Sequence, residues 1–568
     1  MICALMLLPQ AVLWSAPSPH PSEYLGMLDL DPAGDCDGDG MDDLIAASGS
    51  PTGPGIHATV LSGSDGSVLW WIVPDTGITG LEFARVGDID MDGLDDVAIG
   101  EAGYPTVPPC PSTGRVSVRS GLDGSILYEL VGFQCLSQFG RGLESYPDVD
   151  GDGIRELVVT APYEVISPLL PGAGVARMYS GGLGPAGMPL WVQSYPWILV
   201  PSVPGQTFPT VRAVSRLGDL TGDGYPDLVL EGLDVGFRVV SGVTGGLQYV
   251  LTALAFSPGG PVAPLQPSYL WTIEGDLDGD AIADIVGGRV SQPWLGALYF
   301  NDGVVVARSG ANGFPLWCET TASTAADGLG SSIAGTADWD ADGVPEVVVG
   351  RPGGWWPGQP PLRTGGIVQV RSGATGIPVF EFGPPPSSGA VGFGQSVCLV
   401  EDQNGDGLPE IGVSAPLTPV NGVINTGVVF LYTLCDLFGH SCPSGGPRLR
   451  CAGGPVKAGN AGFGLLLENA PPLAPVYLLV GTSDASWSGV PLPAPLPGSL
   501  GCPLRVSGDV ILSTPSGATS ASGSAAVTLP VPNSAALVGS QAFAQWVVFD
   551  AGASSFVTTP GVRLRVLP

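Results

Sequence analysis

The sequence predicts an all-β protein, a seven-bladed β-propeller followed by a β-sandwich, and three observations carry that prediction. The first is composition. With 87 Gly and 57 Pro among 568 residues, long helices are disfavoured, while 44% hydrophobic residues supply a large core, so many short strands joined by tight turns are expected. The second is an acidic pattern that recurs seven times, beginning at Asp35, Asp88, Asp148, Asp219, Asp276, Asp338 and Asp402. The third is a Ser-Gly pair that follows most of these patterns at the end of an apolar, β-rich stretch.

Each repeat reads as four strands: one before the acidic loop, one after it (96–100 and 346–350 are examples), one before Ser-Gly and one after it. The Ser-Gly pairs are Ser62-Gly63, Ser120-Gly121, Ser180-Gly181, Ser241-Gly242, Ser309-Gly310 and Ser372-Gly373; the seventh repeat lacks one. Glycine at the bends marks the connections as hairpins. A four-stranded unit cannot bury both of its faces alone, and radial packing of such units gives a propeller.

Closure of the ring supplies a further expectation. The last repeat has a third strand over 427–432, but nothing after it resembles Val68-Leu69-Trp70, Pro189-Leu190-Trp191 or Pro315-Leu316-Trp317. Val12-Leu13-Trp14 does, so residues 10–15 are expected to return as the outer strand of the last blade. Residues 1–9 read as the remnant of a secretory signal, apolar but short and without a charged start. The propeller then occupies 10–437. Residues 438–568, with alternating strands over 462–467, 476–480, 526–530 and 544–549, read as the sandwich.

The acidic loops have the chemistry of a hard-cation cage: oxygen ligands at positions 1, 3, 5 and 9 and a glycine at position 6 for the sharp reversal, which suits calcium. Position 7 would add its backbone carbonyl. The first two sets are Asp35, Asp37, Asp39, Asp43 and Asp88, Asp90, Asp92, Asp96; the third is Asp148, Asp150, Asp152, Glu156. The fourth, Asp219, Thr221, Asp223, Asp227, and the seventh, Asp402, Asn404, Asp406, Glu410, each lose one carboxylate and are expected to bind more weakly. The fifth, Asp276, Asp278, Asp280, Asp284, is intact but has Ala281 at the turn position, where strain is expected. The sixth is Asp338, Asp340, Asp342, Glu346. These are not EF-hands, because Ala46 and Ile99 stand where a twelfth-position Glu would be. Seven copies in register also exclude isolated Asp-Gly turns as the explanation.

Together with the loops, Phe139-Gly140, Phe393-Gly394, Ala161-Pro162 and Ala415-Pro416 make residues 10–437 resemble the FG-GAP repeats of integrin α-subunit propellers and their bacterial relatives. The resemblance implies calcium loops on the lower face and ligand recognition on the upper face, which is built from the second-to-third strand loops and the connections between blades. Those segments carry Trp355 and Trp356, Tyr195 and Trp197, Tyr104 and Tyr163, candidate anchors for a glycan or protein ligand. The C-terminal segment is similar to modules found on secreted bacterial repeat proteins.

Function classes narrow accordingly. A net charge of −32 excludes a nucleic-acid footprint and disfavours anionic lipid, and no apolar run beyond the N-terminus is long enough to span a membrane. Three His (His20, His57, His440) and one Lys (Lys457) give little material for His-based catalysis. Among the acids outside the loops, Glu101, Glu144, Glu164 and Asp234 form no pairing motif. The expectation is a monomeric, calcium-stabilised binding or adhesion protein, secreted or on a bacterial cell surface. The alternatives are a carboxylate-based lyase or glycoside hydrolase and a structural surface component. Cys110 and Cys135 fall within one repeat and Cys442 and Cys502 bracket the sandwich; the pairing stays open.

Overall fold

The computed structural model describes residues 11–19, 24–49, 56–74, 81–105, 110–165, 174–181, 188–194, 211, 213–231, 236–252, 269–270, 275–290, 303–320, 327–339, 343–353, 366–385, 388–403, 408–433, 436–438, 441–443, 446–452, 463–499, 501–534, 537 and 540–565. Among them there is no α-helix; the chain is all β.

Among the described residues, seven four-stranded antiparallel sheets form in chain order. The first consists of Asp29–Gly34, Asp43–Gly49, Ile56–Leu61 and Val68–Ile72, and the acidic loop joins its first two strands. The inner strands lie side by side: Val397–Val400 against Asp29–Gly34, Asp29–Gly34 against Glu82–Gly87, Glu82–Gly87 against Leu143–Tyr146, Leu143–Tyr146 against Ala213–Leu217, and Ile333–Ala337 against Val397–Val400. That neighbour order is the propeller arrangement, with the first and last sheets in contact. The second strand of most sheets is apolar on both faces and fully buried, as in Asp96–Glu101 and Glu410–Ala415, because each sheet is covered by its two neighbours.

The last sheet is completed by the N-terminus. Ala11–Pro17 pairs antiparallel with Val428–Thr433, outside Glu410–Ala415 and Val397–Val400. The strand runs two residues further than the sequence suggested, to Pro17, and Gln10 lies outside the described residues. The first and last strands of the propeller segment therefore interlock within one sheet, so the seam is covered by main-chain bonds.

From Asp436 onward the strands form other sheets. One follows the path Asp436–Phe438, Gly561–Arg565, Gln541–Asp550, Val476–Gly481, Val510–Leu512; another contains Arg448–Ala452, Gly464–Glu468 and Ala525–Thr528. Leu449, Leu465 and Leu467 from the second pack with Val476, Leu478, Trp546, Val548 and Val562 from the first in a shared core, which makes this part a β-sandwich.

Candidate metal loops and the clamp between sheets

The loops are built by their own side chains. In the first, Asp35 Oδ1 accepts the amide of Gly38 (2.7 Å) and Oδ2 that of Gly40 (3.0 Å). Asp37 Oδ1 accepts Asp39 N (3.1 Å) and Asp39 Oδ1 accepts Met41 N (2.9 Å). Carboxylates at alternate positions thus fold the backbone into a tight coil with their remaining lone pairs turned together. The ligand atoms of Asp35, Asp37 and Asp39 lie within 4.8 Å of one another, and so do those of Asp88, Asp90 and Asp96, of Asp148, Asp150 and Glu156, and of Asp276, Asp278 and Asp284.

The ninth-position acids have a second duty that spacing did not reveal. In all seven loops they accept the amide of loop residue two: Cys36 onto Asp43 (2.8 Å), Ile89 onto Asp96 (2.8 Å), Val149 onto Glu156 (2.9 Å), Leu220 onto Asp227 (2.8 Å), Leu277 onto Asp284 (2.7 Å), Trp339 onto Glu346 (2.6 Å) and Gln403 onto Glu410 (2.6 Å). The other oxygen of Asp43, Asp96 and Asp284 accepts the amide of Gly63 (2.8 Å), Gly121 (3.0 Å) and Gly310 (2.8 Å), the glycine of the Ser-Gly pair. One buried carboxylate therefore ties the metal loop to the hairpin of the same sheet. The glycine is obligatory there: a Cβ on Gly63 would stand 2.0 Å from the carbonyl oxygen of Asp42, and one on Gly121 2.0 Å from that of Asp95.

The carbonyl of that same glycine is held from the neighbouring sheet. The indole Nε1 of Trp14 donates to Gly63 O (2.5 Å), Trp70 to Gly121 O (2.6 Å), Trp191 to Gly242 O (2.9 Å) and Trp317 to Gly373 O (2.5 Å). The hydroxyls of Tyr128 and Tyr249 do the same for Gly181 and Gly310. Each of these aromatics sits on the outer strand of one sheet and reaches the next. Sequence reasoning recorded the Val-Leu-Trp strands as a closure signal and missed this role.

Burial pushes the Asp43 carboxyl up to about 7, and those of Asp96 and Asp284 up to about 6; backbone amides oppose the shift and neighbouring loop carboxylates add to it. Oε2 of Glu156 is buried without a well-formed hydrogen bond, the Gly181 amide being directed at the carboxyl and opposing the rise that burial causes. Converging carboxylates, one with such an oxygen, fit a divalent cation, which would offset both the mutual repulsion and the burial cost.

The copies differ. Ala281 has φ +67°, the left-handed geometry expected at that turn. The second loop, complete in its ligands, carries Met91 at φ +63° where the first, third, fourth and fifth have glycine, so it too is strained. In the fourth loop Thr221 breaks the run of acids, while Asp219 accepts the amides of Gly222, Asp223 and Gly224 as Asp276 accepts those of Gly279, Asp280 and Ala281. Asp340, Asp342, Asn404 and Asp406 lie outside the described residues, whereas Asp338, Glu346, Asp402 and Glu410 are described.

Of the candidate ligand anchors, Trp355, Trp356, Tyr195 and Trp197 lie outside the described residues. Tyr163 is exposed. Tyr104 is half-buried with the Arg115 guanidinium 3.9 Å above its ring, so that face of the ring is taken. Cys110 is bonded to Cys135 and Cys442 to Cys502, as suits an oxidising compartment.

No family model matches the sequence. Over 234 residues it is 28% identical to integrin alpha-PS2 of Drosophila melanogaster; the match covers 38% of this chain and 15% of that protein. Among solved structures, the rhamnogalacturonan lyase YesW has 15% identity and a TM-score of 0.39 over 75% of each chain, a likeness too slight to bear on activity. The described residues contain no helix long and apolar enough to cross a membrane.

Proposed function

We propose that the chain is a calcium-stabilised extracellular binding protein of the FG-GAP type, secreted or displayed on a bacterial surface, that presents a glycan or protein ligand site on the face opposite the acidic loops. The observation that carries this reading is the repeated loop in which three carboxylates converge, the buried ninth-position acid among them in the second, third and fifth loops. Likeness to an integrin α chain over 234 residues and the disulfides Cys110–Cys135 and Cys442–Cys502 support the extracellular, adhesive part. Calcium serves the scaffold: it would be held by the acids at positions 1, 3, 5 and 9, which sit at the root of the hairpin and thereby of the clamp to the next sheet.

Binding is favoured over turnover because several of the acids outside the loops are engaged in ion pairs. Glu101 pairs with Arg115 (2.6 Å), Glu164 with Arg177 (2.5 Å) and Asp327 with Arg351 (2.5 Å). The test is a glycan and matrix-protein array probed with the purified chain in calcium and in EDTA, repeated with Trp355 and Trp356 changed to Ala. Calcium-dependent capture lost in the double variant, with folding intact, supports the reading. Ordered self-assembly on a blank array, or depolymerisation of a polysaccharide, overturns it.

A further inference from the structure

The first acidic loop is wired to its two neighbours in a way that the other described loops are not. Position eight of the second loop, Asp95, grips position one of the first: Asp95 N donates to Asp35 O (2.8 Å), and Asp95 Oδ2 accepts Asp35 N (3.0 Å). Position eight of the first loop, Asp42, grips the seventh: its Oδ2 accepts Glu401 N (3.2 Å), and its carbonyl accepts Gln403 Nε2 (3.0 Å). Gln403 N in turn donates to Glu410, the ninth-position acid of that loop. One side chain closes the circuit. The guanidinium of Arg85 meets Asp95 Oδ2 through Nη2 (2.7 Å), Asp42 Oδ1 through Nη1 (2.9 Å) and the exposed Glu401 through Nη1 (3.3 Å).

We propose that Arg85 is a positioning residue that makes the first, second and seventh loops load cation as a unit, across the seam where the first and last strands of the propeller segment meet. The inference rests on the cation reading of the loops. A cation in the first loop fixes Asp35, whose amide and carbonyl both bear on Asp95; Asp95 immediately precedes Asp96, the buried ligand of the second loop. The same cation fixes Asp43, and Asp42 beside it carries the order to Gln403 and Glu410. Without Arg85, Asp42, Asp95 and Glu401 would be three carboxylates with no guanidinium bound between them, Arg155 acting on Asp95 only electrostatically, and their repulsion would open the circuit before any ion arrived. The site is fitted around this contact: a Cβ on Gly34 would lie 2.4 Å from Asp95 Oδ2 and 2.8 Å from Arg85 Nε. Position eight is Arg155, Pro226, Ala283, Pro345 and Pro409 in the third to seventh loops, so no other loop can repeat the carboxylate arrangement.

Charge and geometry can be separated, because Lys keeps the charge but has no planar fork to hold Asp42 and Asp95 at once. The experiment counts bound ions by native mass spectrometry while calcium chloride is added to the EDTA-treated full chain. Asp37→Ala, which disables the first loop, is compared in the parent and in Arg85→Lys. In the parent it is expected to cost more than one ion at limiting calcium; in Arg85→Lys it costs one. Loss of one ion in both backgrounds overturns the inference, as does loss of several in both. Should Arg85→Lys not fold, Asp95→Asn replaces it, with the same expectation. A parent that binds no calcium would instead sink the cation reading itself.

Discussion

Trp14 Nε1 donates to the carbonyl oxygen of Gly63 at 2.5 Å, and so the N-terminal strand, outermost in the last sheet, reaches the hairpin of the first. The bond closes a series in which outer-strand aromatics hold the next sheet's glycine. The indole also lies against the hairpin turn: a Cβ on Gly66, φ +75°, would fall 2.5 Å from its ring.

Trp14→Ala should therefore destabilise the propeller by about 3 to 5 kcal/mol, the usual cost of emptying a buried Trp site. Removal of residues 11–17 should cost more, because Val428–Thr433 would become an unprotected edge. Thermal melts of both variants in saturating calcium check this, and an unchanged melt would mean that the N-terminal strand is dispensable.

Asp90 and Asp96 belong to one loop and should fail differently. Asp90 is exposed and holds only Asp92 N within the loop, so Asp90→Ala should leave the EDTA-treated protein unchanged and reduce the stabilisation that calcium adds. Asp96 is buried and receives amides from Ile89 and Gly121. In Asp96→Asn the amide NH2 would face one of those N–H groups, costing about 1 to 3 kcal/mol even without calcium. Melting both variants with and without calcium separates the two roles; equal behaviour in EDTA would show that the ninth acid is a ligand alone.

The calcium contribution itself follows from mass action, since ions bind the folded loops and not the unfolded chain. The melting temperature of EDTA-treated protein should climb as calcium rises into the millimolar range. Thr221→Ala in the fourth loop should reduce that climb less than Asp90→Ala, because no carboxylate is lost. A flat response would remove the metal from the account.

Much of this was legible in the sequence because it repeats. Seven acidic loops, six of them followed by a Ser-Gly pair, specify the unit, and Val12-Leu13-Trp14 specified the closing strand. The clamp was not legible, since the distance from Trp14 to Gly63 in the chain says nothing of their meeting until neighbouring sheets are placed side by side. The roles of Asp42 and Asp95 were not legible for the same reason: position eight carries no ligand duty, and its partners belong to other repeats. Met91 escaped notice because the ligands around it are complete, and only the backbone exposes the strain.

Asp29 and Asp31, two residues apart on the innermost strand of the first sheet, point the same way, opposite to the core residue Leu30. They interact directly, and both titrate high. Asp31 is pushed up to about 7, chiefly by burial, with Glu82 and Glu144 adding to the rise and its bond from Asp29 opposing it. Asp29 is raised well above the ordinary carboxylate value, by burial first and then by Asp31, against the Leu30 amide and the pull of Arg141. The other groups facing the pair are few: Arg141 is bound to Glu82 (3.3 Å), Arg216 to Glu144 (3.1 Å), and the Cys398 thiol is itself held protonated. A carboxyl whose pKa is higher folded than unfolded binds its proton more tightly in the native state, so its contribution is fully present below the unfolded value and lost as pH rises through the folded one. In saturating calcium, which keeps the loops ionised, stability should therefore decline between about pH 4 and the region above pH 7. Asp31→Asn, which cannot ionise, should flatten that decline and stabilise the protein most at the alkaline end. Melting temperatures from pH 5 to 8.5 measure it; a parallel pH profile in the variant would place the titration elsewhere.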